Sequence, residues 1–272
     1  MNQDAPRVMD AVNRATWREK VNVRWFARLE GYTDPGERAA IERVSGEVRG
    51  QPILDLGVGA GRTVPLLQAV SEDYTAIDYT PELVLACRRK YPAVRVVLGD
   101  ARDLSGFGSE IFKLVVFSFN GIDAVNPDDR DRVLREAHRV LRKGGILLFS
   151  AHNKRGPGCG EHVTFGVDPA RNPIKLVVRV LRALKDAPHT ARNYRRYSAL
   201  NEEHDGYCIM NAAAHRHGLL LHYVTLEKQC EDLANAGFLP DPEIYDNVSG
   251  ARVERGDDTS HAWWLHYVAR KP

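Results

Sequence analysis

The most constraining feature of this chain is a short apolar run that ends in an acid and is followed by three glycines at alternate positions. Residues 53–63 are ILDLGVGAGRT, so the glycines are Gly57, Gly59 and Gly61. A buried parallel strand that turns sharply into a helix has this pattern, because glycine permits the tight turn and leaves the backbone open to a ligand. A dinucleotide-binding fingerprint would place its third glycine at position 62, where this chain has Arg62. The loop therefore predicts a ligand site after the first strand, with a spacing that differs from that fingerprint.

Strand-like and helix-like segments alternate after the loop. The predicted elements are a helix over 62–71, a strand over 74–78, a helix that starts at Thr80 and Pro81, strands over 94–98 and 112–119, a helix over 129–142 and a strand over 146–151. Thr80 is the predicted N-cap of its helix, and Pro81 suits the first turn. Alternation of this kind predicts an α/β fold with a doubly wound parallel sheet and right-handed crossovers.

The end of the chain predicts a continuation of the same sheet. Thr225 caps a predicted helix over 226–236, and Gly237 follows its end. Residues 238–245 and 261–269 are predicted strands, and the second is rich in aromatic and β-branched residues.

Two segments fall outside this pattern. Residues 1–47 predict two or three helices, the clearest over 35–45, where Asp34, Pro35 and Glu37 form a capping-box arrangement. An insertion follows the fifth strand, and segments of that length rarely lack a purpose in an ordered domain. Within it we predict a helix over 172–185 and a pair of short strands between 206 and 224. The predicted single domain comprises a helical lid over 1–47, a ligand-binding core over 48–153, a lid or substrate insertion over 154–224 and a C-terminal helix and strands over 225–272.

Polar groups recur where the predicted strands end, and ligands of open parallel sheets bind at that edge. The groups are Asp55 on the first strand, Asp78 on the second, Asp100 on the third and Ser118 with Asn120 on the fourth. Each acid alone could be a solvated strand end or a turn residue. Their recurrence at successive strand ends predicts one shared site.

The acid–glycine loop, the acids at the next two strand ends and Lys143-Gly144-Gly145 before the fifth strand together resemble the class I (Rossmann-like) S-adenosylmethionine-dependent methyltransferases. The resemblance is good over 50–152 and loose over 222–270. It implies a doubly wound, mostly parallel seven-stranded sheet with an antiparallel last strand. The segment 1–47 would then be an N-terminal helical lid, and the insertion would follow the fifth strand.

The resemblance also implies S-adenosylmethionine as cofactor and S-adenosylhomocysteine as product. The loop and the positive N-terminus of its helix would receive the amino-acid half of the cofactor. Asp78 would bind the ribose hydroxyls, Asp100 the adenine amino group, and the end of the fourth strand would face the methionine amine and the methyl group. The implied cofactor-binding residues are Asp55, Gly57, Gly59, Gly61, Asp78, Tyr79, Asp100, Ala101, Ser118 and Asn120.

Methyl transfer itself needs alignment more than dedicated catalytic groups. His152, just past the fifth strand, is the best general-base candidate, and its alternative role is to fix the turn into the insertion. Tyr79, Phe119 and Trp17 could attract the sulfonium through their ring faces or simply pack. No metal is expected, because His215, His217 and His222 have no acid or cysteine at ligand spacing.

Composition narrows the class of protein. The formal net charge of the 272 residues is +2, which gives no nucleic-acid footprint. Its cysteines are Cys87, Cys159, Cys208 and Cys230, and their wide spacing predicts neither a zinc site nor a disulfide framework. We see no signal peptide and no membrane-spanning run, so we expect a cytoplasmic protein.

A basic run lies inside the insertion. Eight basic residues and one acid, Asp186, lie between Arg171 and Arg196, and Ile174 to Leu184 is apolar on one face. We expect a lid helix that packs its apolar face on the core. The alternatives are an anionic substrate, a membrane surface or a partner.

The acceptor is expected to be a small molecule, methylated on oxygen or nitrogen. Ser118-Phe119-Asn120-Gly121 stands where amino-methylating DNA enzymes of this fold carry Asn/Asp-Pro-Pro-aromatic, which argues against a flipped base. Two rival functions remain, a non-catalytic S-adenosylmethionine-binding protein and a nicotinamide-dependent oxidoreductase. Oligomeric state is left open.

Overall fold

A computed structural model of the chain describes residues 5–160 and 173–272. The helices are α1 (Ala5–Trp17), α2 (Lys20–Phe26), α3 (Pro35–Val48), α4 (Val64–Gln68), α5 (Pro81–Lys90), α6 (Pro127–Val140), α7 (Pro173–Tyr197), α8 (Ala214–His217) and α9 (Leu226–Asn235). The strands are β1 (Ile53–Leu56), β2 (Tyr74–Asp78), β3 (Arg95–Leu98), β4 (Phe112–Phe117), β5 (Leu141–Asn153), β6 (Glu202–Glu203), β7 (Tyr207–Ala212), β8 (Leu219–Val224), β9 (Glu243–Asp246), β10 (Arg252–Val253) and β11 (Trp264–Arg270).

The sheet confirms the predicted α/β architecture. Its strand order is β10-β9-β11-β5-β4-β1-β2-β3, with β3, β2, β1, β4 and β5 parallel and β11 antiparallel to β5. The seven predicted strands form this path, and β10 adds a short edge. Strand order reverses between β1 and β4, so the loops that follow these two strands flank one crevice. That crevice is where an open sheet of this type binds its ligand.

The central strands are buried on both faces because helices cover both sides of the sheet. All residues of β1 and β2 are buried. Side-chain caps fix the helices that follow: Asn126 accepts from the Asp129 N–H at 3.0 Å at the start of α6, and Thr225 accepts from the Lys228 N–H at 3.3 Å at the start of α9.

Two predicted caps form differently. The Thr80 side chain makes no capping bond; instead, Asp78 Oδ1 accepts the Thr80 N–H at 2.7 Å. Asp34 accepts the Glu37 N–H at 2.9 Å as predicted, but the Glu37 carboxylate turns away and pairs with Arg62, so the capping box is only half formed. At Glu37 a tertiary partner, Arg62, competes successfully with the local bond.

The insertion joins the sheet, which sequence pattern did not predict. β7 and β8 form the expected antiparallel pair, and β8 also pairs in parallel with the end of β5, at His152↔Tyr223. The insertion therefore lies beside the carboxyl end of β5. The N-terminal segment divides as well: α3 packs on the sheet, whereas α1 and α2 lie over the crevice.

The expectation that the insertion helix packs its apolar face on the core is wrong. The first half of α7 leaves the side chains of Leu176, Val177, Val180, Leu181 and Leu184 exposed. Its second half carries the contacts, through Asn193 to the Arg216 carbonyl at 3.0 Å and through Tyr194 against His217. Arg171, the first residue of the basic run, lies outside the described residues. None of the described helices has an apolar stretch long enough to cross a bilayer.

Candidate active site

A cavity of about 280 Å³ lies at the carboxyl ends of β1, β2, β4 and β5, where strand order reverses. The glycine loop and the second strand form one end of it, through Gly57, Gly59 and Asp78. The other end is aromatic. It is lined by Trp17, Trp25, Phe26, Phe119, His152, His215 and Trp264. One cavity thus joins a polar cradle to an apolar chamber.

The cradle is built around the Asp78 carboxylate. Asp78 Oδ2 accepts the Gly59 N–H at 2.9 Å, and Oδ1 accepts that of Thr80. Burial raises the pKa of Asp78, although these hydrogen bonds oppose the shift. A carboxylate offers about four acceptor positions, so two remain for a ligand. Gly59 has a φ of +59°, and a Cβ there would meet no atom within 4 Å, so its backbone faces open space.

The end of β4 is a strained turn beside the cradle. Phe119 and Asn120 have φ of 55° and 58°, a conformation that few side chains adopt. The Asn120 N–H donates to Ser150 Oγ at 2.8 Å, which fixes the turn. Asn120 Oδ1 is buried and accepts no hydrogen bond from the described part of the chain. A buried orphan acceptor costs stability, so this atom is suited to receive a ligand's N–H or O–H.

A buried ion pair supports this turn from below. The Arg62 guanidinium bonds both carboxylate oxygens of Glu37, at 2.7 and 2.8 Å, and both side chains are almost fully buried. Ser118 hydrogen-bonds to each of them. Arg62 also lies over the Phe119 ring, 4.9 Å from its centroid. The pair therefore ties α3 and the glycine loop to the end of β4.

His152 lies at the boundary between cradle and chamber, held by a buried carboxylate. Asp123 Oδ2 lies 2.9 Å from His152 Nδ1 and accepts the His152 backbone N–H at 2.6 Å. Its other oxygen pairs with Arg130, so Asp123 offers the imidazole a hydrogen-bond acceptor. Nδ1 must then carry the proton, so Nε2 is the basic nitrogen. Nε2 lies 3.4 Å from Asn120 Nδ2.

The aromatic chamber is closed by a second strained turn. His215 and the next two residues of α8 are left-handed, with φ between 51° and 61°. The His215 ring packs 5.1 Å from that of Trp17 and 5.8 Å from that of Phe26, and His215 Nδ1 lies 2.8 Å from Asn22 Oδ1. Burial and the charge of Arg216 lower the pKa of His215 to about 4, so this wall is neutral at neutral pH.

Comparison with known proteins identifies the family. A family model described as a methyltransferase domain matches residues 53–145. The phosphatidylethanolamine N-methyltransferase of Cereibacter sphaeroides is 31% identical over 156 residues, which cover 55% of this chain and 72% of that protein. The chain belongs to the class I S-adenosylmethionine-dependent methyltransferases. Its cofactor is S-adenosylmethionine.

Further comparisons agree in fold. A probable S-adenosylmethionine-dependent methyltransferase of Mycobacterium tuberculosis is 28% identical over 126 residues, which cover 46% of this chain but only 44% of that relative. The crystal structure of Burkholderia thailandensis 1,6-didemethyltoxoflavin-N1-methyltransferase, with 1,6-didemethyltoxoflavin and S-adenosylhomocysteine bound, has a TM-score of 0.56 at 18% identity. That match covers 98% of this chain and 90% of that chain. The resemblance to that structure is one of fold.

The residues around the cradle fit the family's cofactor. Open space at Gly59, two free acceptor positions on Asp78 and the orphan Asn120 Oδ1 are the groups that a ribose and an α-amino group would need. Tyr79 and Ala101 line the same cavity. These assignments of individual residues to the cofactor stay predictions.

Three predicted cofactor residues have other partners. Asp55 lies beneath the loop, bonded to the Thr63 and Tyr74 hydroxyls, and does not line the cavity. Asp100 is held by Arg102 and Arg14, with side-chain distances of 2.7 Å to each. Burial alone would raise the pKa of Asp100, but these bonds outweigh it and lower the pKa to about 2. The space beside Gly61 is occupied by the protein itself, since a Cβ there would lie 2.5 Å from the Tyr91 ring.

Sequence reasoning missed several residues that shape the site. Asp123 lies two residues after Gly121 and Trp264 lies in the last predicted strand, and only tertiary pairing brings them to His152. The sequence pattern marks Arg62 only as the residue that replaces a glycine. An arginine inside an otherwise apolar loop was the available signal, because a buried guanidinium requires an anionic partner.

Proposed function

We propose that this chain transfers a methyl group from S-adenosylmethionine to an oxygen or nitrogen of a small, largely apolar molecule held in the aromatic chamber. One observation carries the proposal: His152, oriented by Asp123, stands between the polar cradle and the aromatic chamber of a single cavity. A methyl donor in the cradle and an acceptor in the chamber would meet beside its Nε2.

The cofactor, when bound, supplies an activated methyl group. The chain's residues then have to hold both reactants and exclude water. Such alignment can contribute roughly 7–11 kcal/mol of the barrier. In this proposal, α1, α2 and α8 act as the lid, since their aromatic side chains cover the chamber.

His152 acts in the proposal as the general base. Its Nδ1–H donates to Asp123, so Nε2, which lies 3.4 Å from Asn120 Nδ2, carries the lone pair that accepts a proton from an acceptor hydroxyl or ammonium. Asp123 is a positioning residue, because it fixes the tautomer and stabilises the imidazolium that forms. A base placed in this way contributes about 10²–10⁴-fold to the rate.

The chamber walls support this choice of acceptor. Trp25, Phe119 and Trp264 offer flat apolar surfaces, which suit an aromatic or lipid-like molecule. One relative is a phosphatidylethanolamine N-methyltransferase, so amine acceptors belong in any screen. Membership of the family sets aside the nicotinamide-dependent alternative. A non-catalytic S-adenosylmethionine-binding protein remains the rival.

The first experiment is calorimetric titration with S-adenosylmethionine and S-adenosylhomocysteine, with NADH as a control. We expect binding of the two sulfur compounds only, and a loss of about 100-fold or more in affinity for Asp78→Asn, since two charge-assisted hydrogen bonds are weakened. Unchanged affinity of this variant would refute the ribose assignment.

The second experiment measures S-adenosylhomocysteine formation with a panel of aromatic hydroxyls and amines. We expect His152→Ala to lower kcat by about 10²–10⁴-fold at unchanged cofactor affinity. His261→Ala is the matched control, because His261 is exposed and does not line the cavity. Cofactor binding without turnover on any acceptor would favour the non-catalytic rival.

A further inference from the structure

The first half of α7, residues 173–185, carries an exposed apolar stripe. The stripe comprises Leu176, Val177, Val180, Leu181 and Leu184. Leu181 and Leu184 are 60% and 65% exposed. Five of the fourteen large apolar side chains exposed in the described part of the chain fall within these nine residues. Scattered exposed leucines are ordinary, but a contiguous apolar patch marks an interaction surface.

The stripe is one face of an amphipathic helix. At 100° per residue its five members span an arc of about 140°. The sequence places Lys175, Arg179, Arg182 and Lys185 on the rest of the circumference, so basic positions border the stripe. This order of apolar face and basic rim is typical of helices that lie in a membrane interface.

Charge is concentrated in this segment and next to it. Residues 173–185 carry four basic residues and no acid, and residues 171–196 as a whole carry eight basic residues and one acid, a net charge of +7 in a chain whose total is +2. The remaining residues therefore carry a net charge of −5. A surface this polarised favours an anionic partner and repels a second copy of the same helix.

The helix is anchored at one end only. Pro188 lies inside α7 and removes one backbone donor, and the contacts with the rest of the protein begin near it, at Asp186, which lies 3.6 Å from Arg216. There Asn193 bonds the Arg216 carbonyl, and Arg216 belongs to α8, whose His215 lines the aromatic chamber. The exposed stripe therefore projects from a point beside the cavity wall.

We propose that residues 173–185 of α7 dock this chain onto an anionic phospholipid bilayer. The stripe enters the headgroup–acyl boundary, and the basic rim meets the lipid phosphates. A bilayer accommodates an isolated helix face without a complementary groove. Docking requires no methyl transfer, so the inference stands apart from the proposed function.

Vesicle flotation of the full chain tests the inference. We expect binding to mixed phosphatidylcholine and phosphatidylglycerol vesicles, little binding to phosphatidylcholine alone, and weakening at high salt. The double variant Leu181→Ser with Leu184→Ser should lower the partition coefficient by about tenfold or more. Lys185→Glu should lower it by about fivefold or more, since one interfacial cation is lost.

Matched controls distinguish docking through the stripe from nonspecific adsorption to the vesicles. Leu85→Ser with Leu98→Ser removes two leucines of similar exposure, 50% and 53%, and Lys143→Glu makes the same charge change at another exposed site. These controls should float like the wild type, and all variants should keep its unfolding temperature and cofactor affinity. Equal binding to neutral vesicles, no binding at all, or equal losses in the controls would overturn the proposal. So would a stripe variant that converts a dimer to a monomer, because a second copy would then cover the stripe.

Discussion

Glu37→Gln should destabilise the fold far more than its conservative size suggests. The substitution removes the negative charge from a buried pair, and the Arg62 guanidinium is then left without its bidentate partner. Breaking a buried pair costs about 3–5 kcal/mol. Asp34 and Asp55 still attract Arg62, and Gln accepts one hydrogen bond, so we expect a loss of about 3 kcal/mol.

Urea unfolding at pH 7 measures this loss as a lower midpoint at unchanged slope. Glu47→Gln is the control, because Glu47 pairs with Arg43 and Arg270 at the exposed surface, where such pairs contribute less than about 1 kcal/mol. Replacing both Glu37 and Arg62 by methionine should cost less than the two single changes together, with a coupling of roughly 1–3 kcal/mol. A loss below about 1 kcal/mol for Glu37→Gln, or additive single changes, would refute the reasoning.

Three further predictions concern the loop and the chamber. Burial raises the pKa of Asp55 from 3.8 to about 6. Between these two pH values the folded protein keeps a proton on Asp55 that the unfolded chain releases. The free energy of unfolding therefore falls by about 3 kcal/mol as pH rises from about 4 to 6. Asp55→Asn should remove this loss in urea unfolding measured against pH, and an unchanged profile would contradict the assignment. The lowered pKa of His215 acts in the opposite sense, because about 3 kcal/mol is lost as pH falls from 6.5 to 4. His215→Asn tolerates the left-handed backbone and should remove that second slope, which the same titration checks. Gly61→Ala should lower the unfolding temperature, because the added methyl group would clash with Tyr91. Gly59→Ala should mainly weaken the binding of S-adenosylmethionine measured by calorimetry. A Gly59→Ala variant that binds like the wild type would show that no ligand approaches the backbone at Gly59.

The sheet was predictable because its signals are local. The apolar runs, the glycine loop and the proline and glycine punctuation each act within a few residues, and all five parallel strands overlap the predicted ones. The fifth begins earlier than predicted, at Leu141, inside the predicted helix over 129–142. Asp78 was predictable for the same reason, since its position at the end of β2 follows from the strand itself.

The support around the site was not predictable, because it joins residues distant in sequence. Asp123 is 29 positions from His152, and Glu37 is 25 from Arg62. Nothing local in the sequence shows that Arg14, 86 positions away, pairs with the Asp100 carboxylate. For α7 the sequence predicts too much burial, because its apolar face is exposed and does not pack on the core. Amphipathic periodicity indicates that a face needs a partner, but it does not say whether that partner belongs to the same chain.

Arg216 gives the left-handed turn of α8 a mechanical consequence. Its guanidinium bonds Glu19 between α1 and α2 and lies 3.6 Å from Asp186 of α7, while its carbonyl accepts from Asn193. One residue therefore connects the α1–α2 segment, which covers the chamber, to the surface helix α7. The helices that cover the chamber cannot move outward while these three bonds hold. Entry of molecules into the chamber is therefore coupled to the orientation of α7.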